Sequence, residues 1–194
     1  VMSKVVIQGH ASGTGDFTIA APNSDTDRTL TLPDEVGTVL TTAGVPSSAM
    51  PAGSVLQVTY DSTARPRFQG TVSTLTNTGF EVSITPKFAN SKIKIDFAAS
   101  VLASAHYVAM DIYRNGTTGL SGDSANGLTG SVAYYTSFWQ NVSMFIIDSP
   151  NTTSAVTYNI FAKTYSGTVT IGGAGVGGTI YPNGVVLSAT EIAQ

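Results

Sequence analysis

Period-two alternation of apolar and polar residues recurs along the chain from about residue 54 and predicts strands. Ile93, Ile95, Phe97, Ala99 and Val101 fall on one face of such a strand, with Lys92, Lys94 and Asp96 on the other. A second run sets Val108, Met110 and Ile112 against Tyr107, Asp111 and Tyr113, and ends at Asn115-Gly116, a pair suited to a type I′ turn. Further runs cover Val142 to Ile147, Ala155 to Ala162, Gly167 to Ile171 and Gly184 to Ser188, separated by Ser149-Pro150-Asn151, Ser166-Gly167 and Pro182-Asn183-Gly184. Short strands at this spacing predict an all-β fold, an antiparallel jelly-roll-like sandwich. Phe97, Val101, Ala105 and Val108 also fit a helical face, so a helix over 97–110 competes with two strands joined near Ser100 to Ala105. The unbroken alternation from Ile93 to Val101 favours the strands.

Residues 1–45 read differently. Asp27-Arg28-Thr29-Leu30-Thr31-Leu32-Pro33 and Gly37-Thr38-Val39-Leu40-Thr41-Thr42 alternate around a turn of Pro, Asp and Gly. Short strands are expected at Lys4 to Gln8, Asp16 to Ala20, Thr29 to Leu32 and Thr38 to Thr42. This zone is too poor in large apolar residues to bury those strands by itself, so it needs other chains. Residues 46–53, with Pro46, Pro51 and small residues between them, read as a stiff extended connector. Residues 54–194 form the candidate globular domain.

Composition sharpens the picture. Charged residues make up 11% of the 194, against about 25% in ordinary globular domains, and there are 20 glycines. A surface so poor in charge is covered by hydroxyls, amides and other subunits. The formal net charge of −3 offers no basic footprint for nucleic acid or an acidic membrane. With no cysteine, disulfides and thiolate metal sites are excluded, and stability falls to packing and assembly. No apolar run approaches the roughly 18 residues of a membrane-spanning helix, and the start is too short in apolar residues for a secretory signal. Met2-Ser3-Lys4 reads like an initiation site, which implies a nearly whole gene product joined to a larger particle through its first residues.

The alternating segments at 27–33 and 37–42 resemble the stems of bacteriophage tail-fibre and virion-fibre proteins. The resemblance continues through Ala52-Gly53-Ser54-Val55-Leu56-Gln57-Val58, Ser83-Ile84-Thr85-Pro86-Lys87, Tyr113-Arg114-Asn115-Gly116-Thr117, the stretch from Asp148 to Tyr158, and Ala189-Thr190-Glu191-Ile192-Ala193. These are similar to successive landmarks of fibre C-terminal domains, especially those of marine phages, and together span almost the full length. The resemblance implies a homotrimeric virion protein, synthesised in the host cytoplasm, with a short stem and a β-sandwich tip around a long axis. Only one stem unit is visible where such fibres often carry many, which points to a short spike or a capsid-borne fibre.

The chemistry of an enzyme is thinly represented. Gly173-Ala174-Gly175-Val176-Gly177-Gly178 matches a dinucleotide fingerprint, but Thr179-Ile180-Tyr181-Pro182 follows where a helix is required, so a glycine-rich loop is the better reading. The two histidines are His10, in the stem, and His106, read as packed or hydrogen-bonded at a strand end beside Tyr107. Asp111 and Asp123 flank the Asn115 hairpin and are the carboxylates to consider for glycan cleavage, although Asp111 on a polar strand face is expected to be solvated. No spaced calcium loop appears, and neither a cofactor nor a metal is expected.

For binding, the cluster Tyr134, Tyr135 and Trp139 stands out. Aromatic faces stack on the apolar faces of sugar rings, and these residues follow the glycine-rich stretch Gly116 to Gly130, where exposed loops are expected. Against this, a lone Trp in a sandwich usually lies in the core or at a subunit contact. The expectation is a non-enzymatic fibre or spike that attaches to a host-surface glycan or protein through its tip. Its N-terminal segment would contact other virion proteins. A decoration or head fibre without receptor role is the alternative, and a glycan depolymerase is the next.

Overall fold

A computed structural model describes residues 11–15, 23–27, 29, 49–61, 67–128, 139–173 and 184–194. The chain divides into two compact units, Val1–Val39 and Leu40–Gln194. In the first, the described residues include a bend at 23–27, where Thr26 N–H donates to Ser24 Oγ at 3.2 Å. The stem strands expected at Lys4 to Gln8, Asp16 to Ala20, Thr29 to Leu32 and Thr38 to Thr42 lie outside the described residues, Thr29 excepted.

The second unit is all-β among the described residues, with ten strands in two antiparallel sheets. They are β1 (Val55–Tyr60), β2 (Phe68–Gly70), β3 (Thr76–Ile84), β4 (Lys92–Ala103), β5 (Val108–Arg114), β6 (Thr118–Gly119), β7 (Gln140–Asp148), β8 (Val156–Thr164), β9 (Val169–Ile171) and β10 (Val185–Ile192). The first sheet runs β1-β10-β4-β9-β2 with β7 on β4, and the second runs β3-β8-β5-β6.

Alternation does what the pattern predicts in β4. Ile93, Ile95, Phe97, Ala99, Val101 and Ala103 are buried, while the residues between them are not. No helix forms over 97–110; β4 ends at Ala103 and β5 begins at Val108. Phe97 meets Phe80 of β3 with ring centroids 6.5 Å apart, so inward residues of both sheets share one core with Ile160, Tyr158 and Leu187. Burying a side chain such as Phe97 contributes about 1.5–3 kcal/mol.

The β5–β6 turn follows its sequence signal. Asn115 and Gly116 have φ of 52° and 67°, and Thr117 N–H donates to Arg114 O at 3.2 Å, the geometry of a type I′ turn. Asn115 also ties the turn to β8, its side chain accepting from Thr157 N–H at 3.0 Å.

Two local expectations change. Residues 49–53 of the connector do not stay extended: Ser54 N–H donates to Pro51 O at 3.1 Å, and Gly53, at φ 88°, donates to Ala193 O at 2.8 Å. The glycine lets the chain reverse into β1 beside β10. Asp111 is not solvated but fully buried, because the segment 120–128 folds over the outward face of β5. Gly127 makes that cover close-fitting, since a Cβ there would lie 2.4 Å from Met110 O.

Candidate functional site

On β5, Val108, Met110 and Ile112 point into the core, so Ala109, Asp111 and Tyr113 take the other face of the sheet. There the covering segment meets the strand imperfectly and leaves a shallow cleft of ≈ 200 Å³, lined by Asp111, Tyr113, Thr117, Ser121, Asp123 and Ser124 with the backbone of Gly119 and Gly122. Asp111 accepts Ile112 N–H and Ser121 Oγ, both at 2.7 Å. Burial pushes its carboxyl above the ordinary value, against the lowering effect of these bonds.

Asp123 has the opposite setting. It is exposed, and its carboxylate accepts Asn126 Nδ2 at 3.0 Å, Asn126 N–H at 3.0 Å and Ala125 N–H at 2.8 Å, which hold its carboxyl below the ordinary value. The two aspartates that sequence spacing left unplaced therefore line one hollow, with proton affinities moved apart. Tyr113 stacks on Phe161 at 3.9 Å between centroids, fixing its ring beside them.

The other expected site residues do not gather here. Trp139 is half-buried, immediately before β7, and does not line this cleft. Tyr134 and Tyr135 lie outside the described residues, as do His10 and all of the glycine fingerprint except Gly173. His106 sits exposed in the β4–β5 turn at φ 53°, its ring 5.4 Å from that of Tyr165, which in turn lies 5.7 Å from Tyr107.

A second feature is the outer face of the first sheet. The register places Val58, Thr190, Lys94 and Ile147 in one row and Tyr60, Ser188, Asp96 and Phe145 in the next, across β1, β10, β4 and β7. Val55 and Val186 belong to the same face. Those six large apolar side chains, Val55, Val58, Tyr60, Phe145, Ile147 and Val186, are each more than half exposed, and among the described residues only Tyr165 is a comparable case elsewhere. Between the β1 and β7 stripes, Lys94 and Asp96 pair at 2.7 Å.

Two polar clusters, one buried and one half-buried, escaped the sequence reading. Glu191, on the inward face of β10, accepts Gln57 Nε2 at 2.6 Å, Ser91 Oγ and Lys87 N–H at 2.7 Å, and Phe88 N–H at 3.3 Å. Burial would raise its pKa, but the bonds from Ser91, Gln57 and the two amides outweigh that and hold it below the ordinary value. Asp148 takes Arg114 Nη1 through both oxygens at 3.0 Å and the Tyr158 hydroxyl at 2.9 Å, linking the two sheets. An acid among inward-facing apolar residues, as at Leu187-Ser188-Ala189-Thr190-Glu191, was the available signal for the first.

Among the described residues no group of three or more His, Cys, Asp or Glu is placed to hold a metal ion, and no helix is long and apolar enough to cross a membrane. No protein-family model matches the chain, and no curated protein matches it.

Proposed function

We propose that the chain is a non-catalytic, homotrimeric fibre or spike protein of a bacteriophage particle, whose jelly-roll-like tip attaches to a host-surface glycan. The observation that carries this reading is the apolar outer face of the first sheet. Monomeric soluble proteins rarely expose a contiguous apolar patch of more than a few hundred Å². Here two stripes, Val58 with Tyr60 and Phe145 with Ile147, stand on strands separated by β10 and β4, about 14 Å apart at ordinary strand spacing. A ring of three copies with these faces turned toward a common axis sets the β1 stripe of each copy against the β7 stripe of the next. Such a head-to-tail contact closes on itself at three copies. The Lys94–Asp96 pair then faces the axis, and three attachment sites on one rigid body raise avidity by orders of magnitude.

The test is mass in solution. Light scattering should give three chains for the native protein and one for the variant Phe145→Glu with Ile147→Lys, with strand content unchanged in both. A native protein that remains a single chain at micromolar concentration overturns the assembly.

A further inference from the structure

Three connections meet at one end of the second unit. Residues 71–75 lead from β2 to β3, 104–107 from β4 to β5, and 165–168 from β8 to β9. Ser104 N–H donates to Thr168 O at 2.9 Å, Thr168 N–H returns a bond to Ser104 Oγ at 2.8 Å, and the Thr71 and Thr168 hydroxyls lie 3.0 Å apart. Gly167, at φ 74°, lets two of these turns touch, since a Cβ there would lie 2.7 Å from Ser104 Oγ and 2.9 Å from Ala105 Cβ. β4 starts at Lys92, which is in register with Ile192 and through it with Val55, where the chain enters β1. The three turns therefore stand at the opposite end of the unit, roughly 36 Å along β4 from that entry.

This clasp holds aromatic surface out in water. Tyr165 is 68% exposed, with its ring 5.4 Å from that of His106 and 5.7 Å from that of Tyr107. Its N–H donates to Tyr107 O at 3.4 Å, which ties the ring-bearing turns together a second time. His106 takes a φ of 53°, a conformation unfavourable for any residue with a Cβ. Strain and bare aromatic area on a frame braced by hydrogen bonds mark a contact site, because neither serves the core.

The size and chemistry of the patch select its occupant. Rings of this kind present about 150–250 Å² each when fully bare, and only Tyr165 is mostly bare, so the patch falls well short of the roughly 800 Å² per side that a stable contact between chains buries. Residues 71–75, 104–107 and 165–168 include no Asp, Glu, Lys or Arg, so a charged ligand finds no partner of opposite sign in them. Rings edged by Ser and Thr hydroxyls suit a pyranose, whose C–H face lies on an aromatic ring while its hydroxyls bond at the rim.

We propose that Tyr165, with His106 and Tyr107 beside it, is a stacking platform for one neutral pyranose unit of a glycan. The proposal rests on the attachment role above and places its sugar contact in these turns. A single stacked sugar binds weakly, and three copies multiply it.

Amide chemical shifts of the native protein test it, with methyl β-D-galactopyranoside, methyl β-D-glucopyranoside, methyl α-D-mannopyranoside and N-acetylneuraminate as separate probes. At least one neutral glycoside should give saturable shifts at Tyr107, Tyr165 and Ser166, and should bind more tightly than N-acetylneuraminate. Tyr165→Ala, at an exposed position, should weaken that binding about tenfold, whereas Tyr165→Phe keeps the ring and should stay within about twofold. Shifts from none of the neutral glycosides, undiminished binding in Tyr165→Ala, loss of binding in Tyr165→Phe, or tighter binding of N-acetylneuraminate would each overturn the platform. A lower mass in solution for Tyr165→Ala than for the native protein would overturn it too, by assigning the ring to a contact between copies. Mass of the native protein separates the two readings: a trimer that no glycoside shifts sinks the platform only, whereas a monomer that binds one through Tyr165 sinks the assembly only.

Discussion

Ser91 donates its hydroxyl to Glu191 Oε1 at 2.7 Å, with both residues buried. The bond joins the approach to β4 with the end of β10, and the amides of Lys87 and Phe88 converge on the same oxygen. Removing the charge leaves these donors poorly matched, so Glu191→Gln should cost about 2–4 kcal/mol at neutral pH, measured as a fall in the urea midpoint. The pKa of this group is depressed in the folded state from 4.5, so its stabilisation is full above that value and is lost as pH falls through the lower folded one. Acidification from about pH 5 to pH 3 should therefore weaken the native protein more than Glu191→Gln.

Asp111 titrates with the opposite sign. Its folded pKa lies above the ordinary 3.8, so its contribution is full below that value and declines as pH rises through the folded one. Asp111→Asn keeps an acceptor for Ile112 N–H and offers a donor to the Ser121 hydroxyl, so it should stay within about 1 kcal/mol of the native protein near neutral pH. Its stability profile should lack the decline above about pH 4. Carboxyl NMR on the native protein should place the Asp111 midpoint above 3.8.

Gly127 and Gly53 separate strain from crowding. Both have positive φ, 65° and 88°, but a Cβ at 53 meets nothing within 4 Å while one at 127 meets Met110 O at 2.4 Å. Gly53→Ala should lose only the left-handed penalty of about 1–2 kcal/mol. Gly127→Ala should lose more and lift the 120–128 segment from β5, seen as faster hydrogen exchange at Asp111 and Ile112.

The Arg114–Asp148–Tyr158 cluster is a third test of burial. Tyr158→Phe should cost about 1.5–3 kcal/mol, the range for a hydrogen bond to a charged group. Burial first, then the Asp148 charge and hydrogen bond, raise the Tyr158 phenol above the ordinary range. Ultraviolet titration should leave that tyrosine protonated until the protein unfolds. Replacing Arg114 and Asp148 together by Met and Leu should cost less than Asp148→Leu alone, which strands the guanidinium.

A chain without cysteine gives clean cross-linking. The double variant Tyr60→Cys with Phe145→Cys should yield covalent three-chain species on oxidation, and Phe145→Cys alone should yield none. Dimers from the single variant would indicate a two-fold contact in place of the head-to-tail one.

Much of the sheet structure was legible in the chain. β4, β5, β7 and β8 follow runs such as Ile93 to Val101, because one face of each is buried and the period is two. Asn115-Gly116 gave the turn, since few other pairs adopt positive φ twice. β2 and β6, two or three residues long, were not, because so short a piece carries no period. At Asp111, alternation names the face correctly but says nothing of a later segment folding over it. Glu191 was hidden by the same logic, because its neutralising donors come from Gln57 and residues 87–91, far away in sequence.

β10 sits between β1 and β4, yet it is the last of the ten described strands to leave the ribosome. Until residues 185–192 emerge, the first sheet has a gap at its centre and β1 has no partner in it. Folding during synthesis must therefore wait, with an unzipped apolar edge on display, for pairings that span most of the domain. Such distant closures are slow and invite wrong partners, so this polypeptide should favour cool expression and depend on chaperones more than a helical protein of the same size.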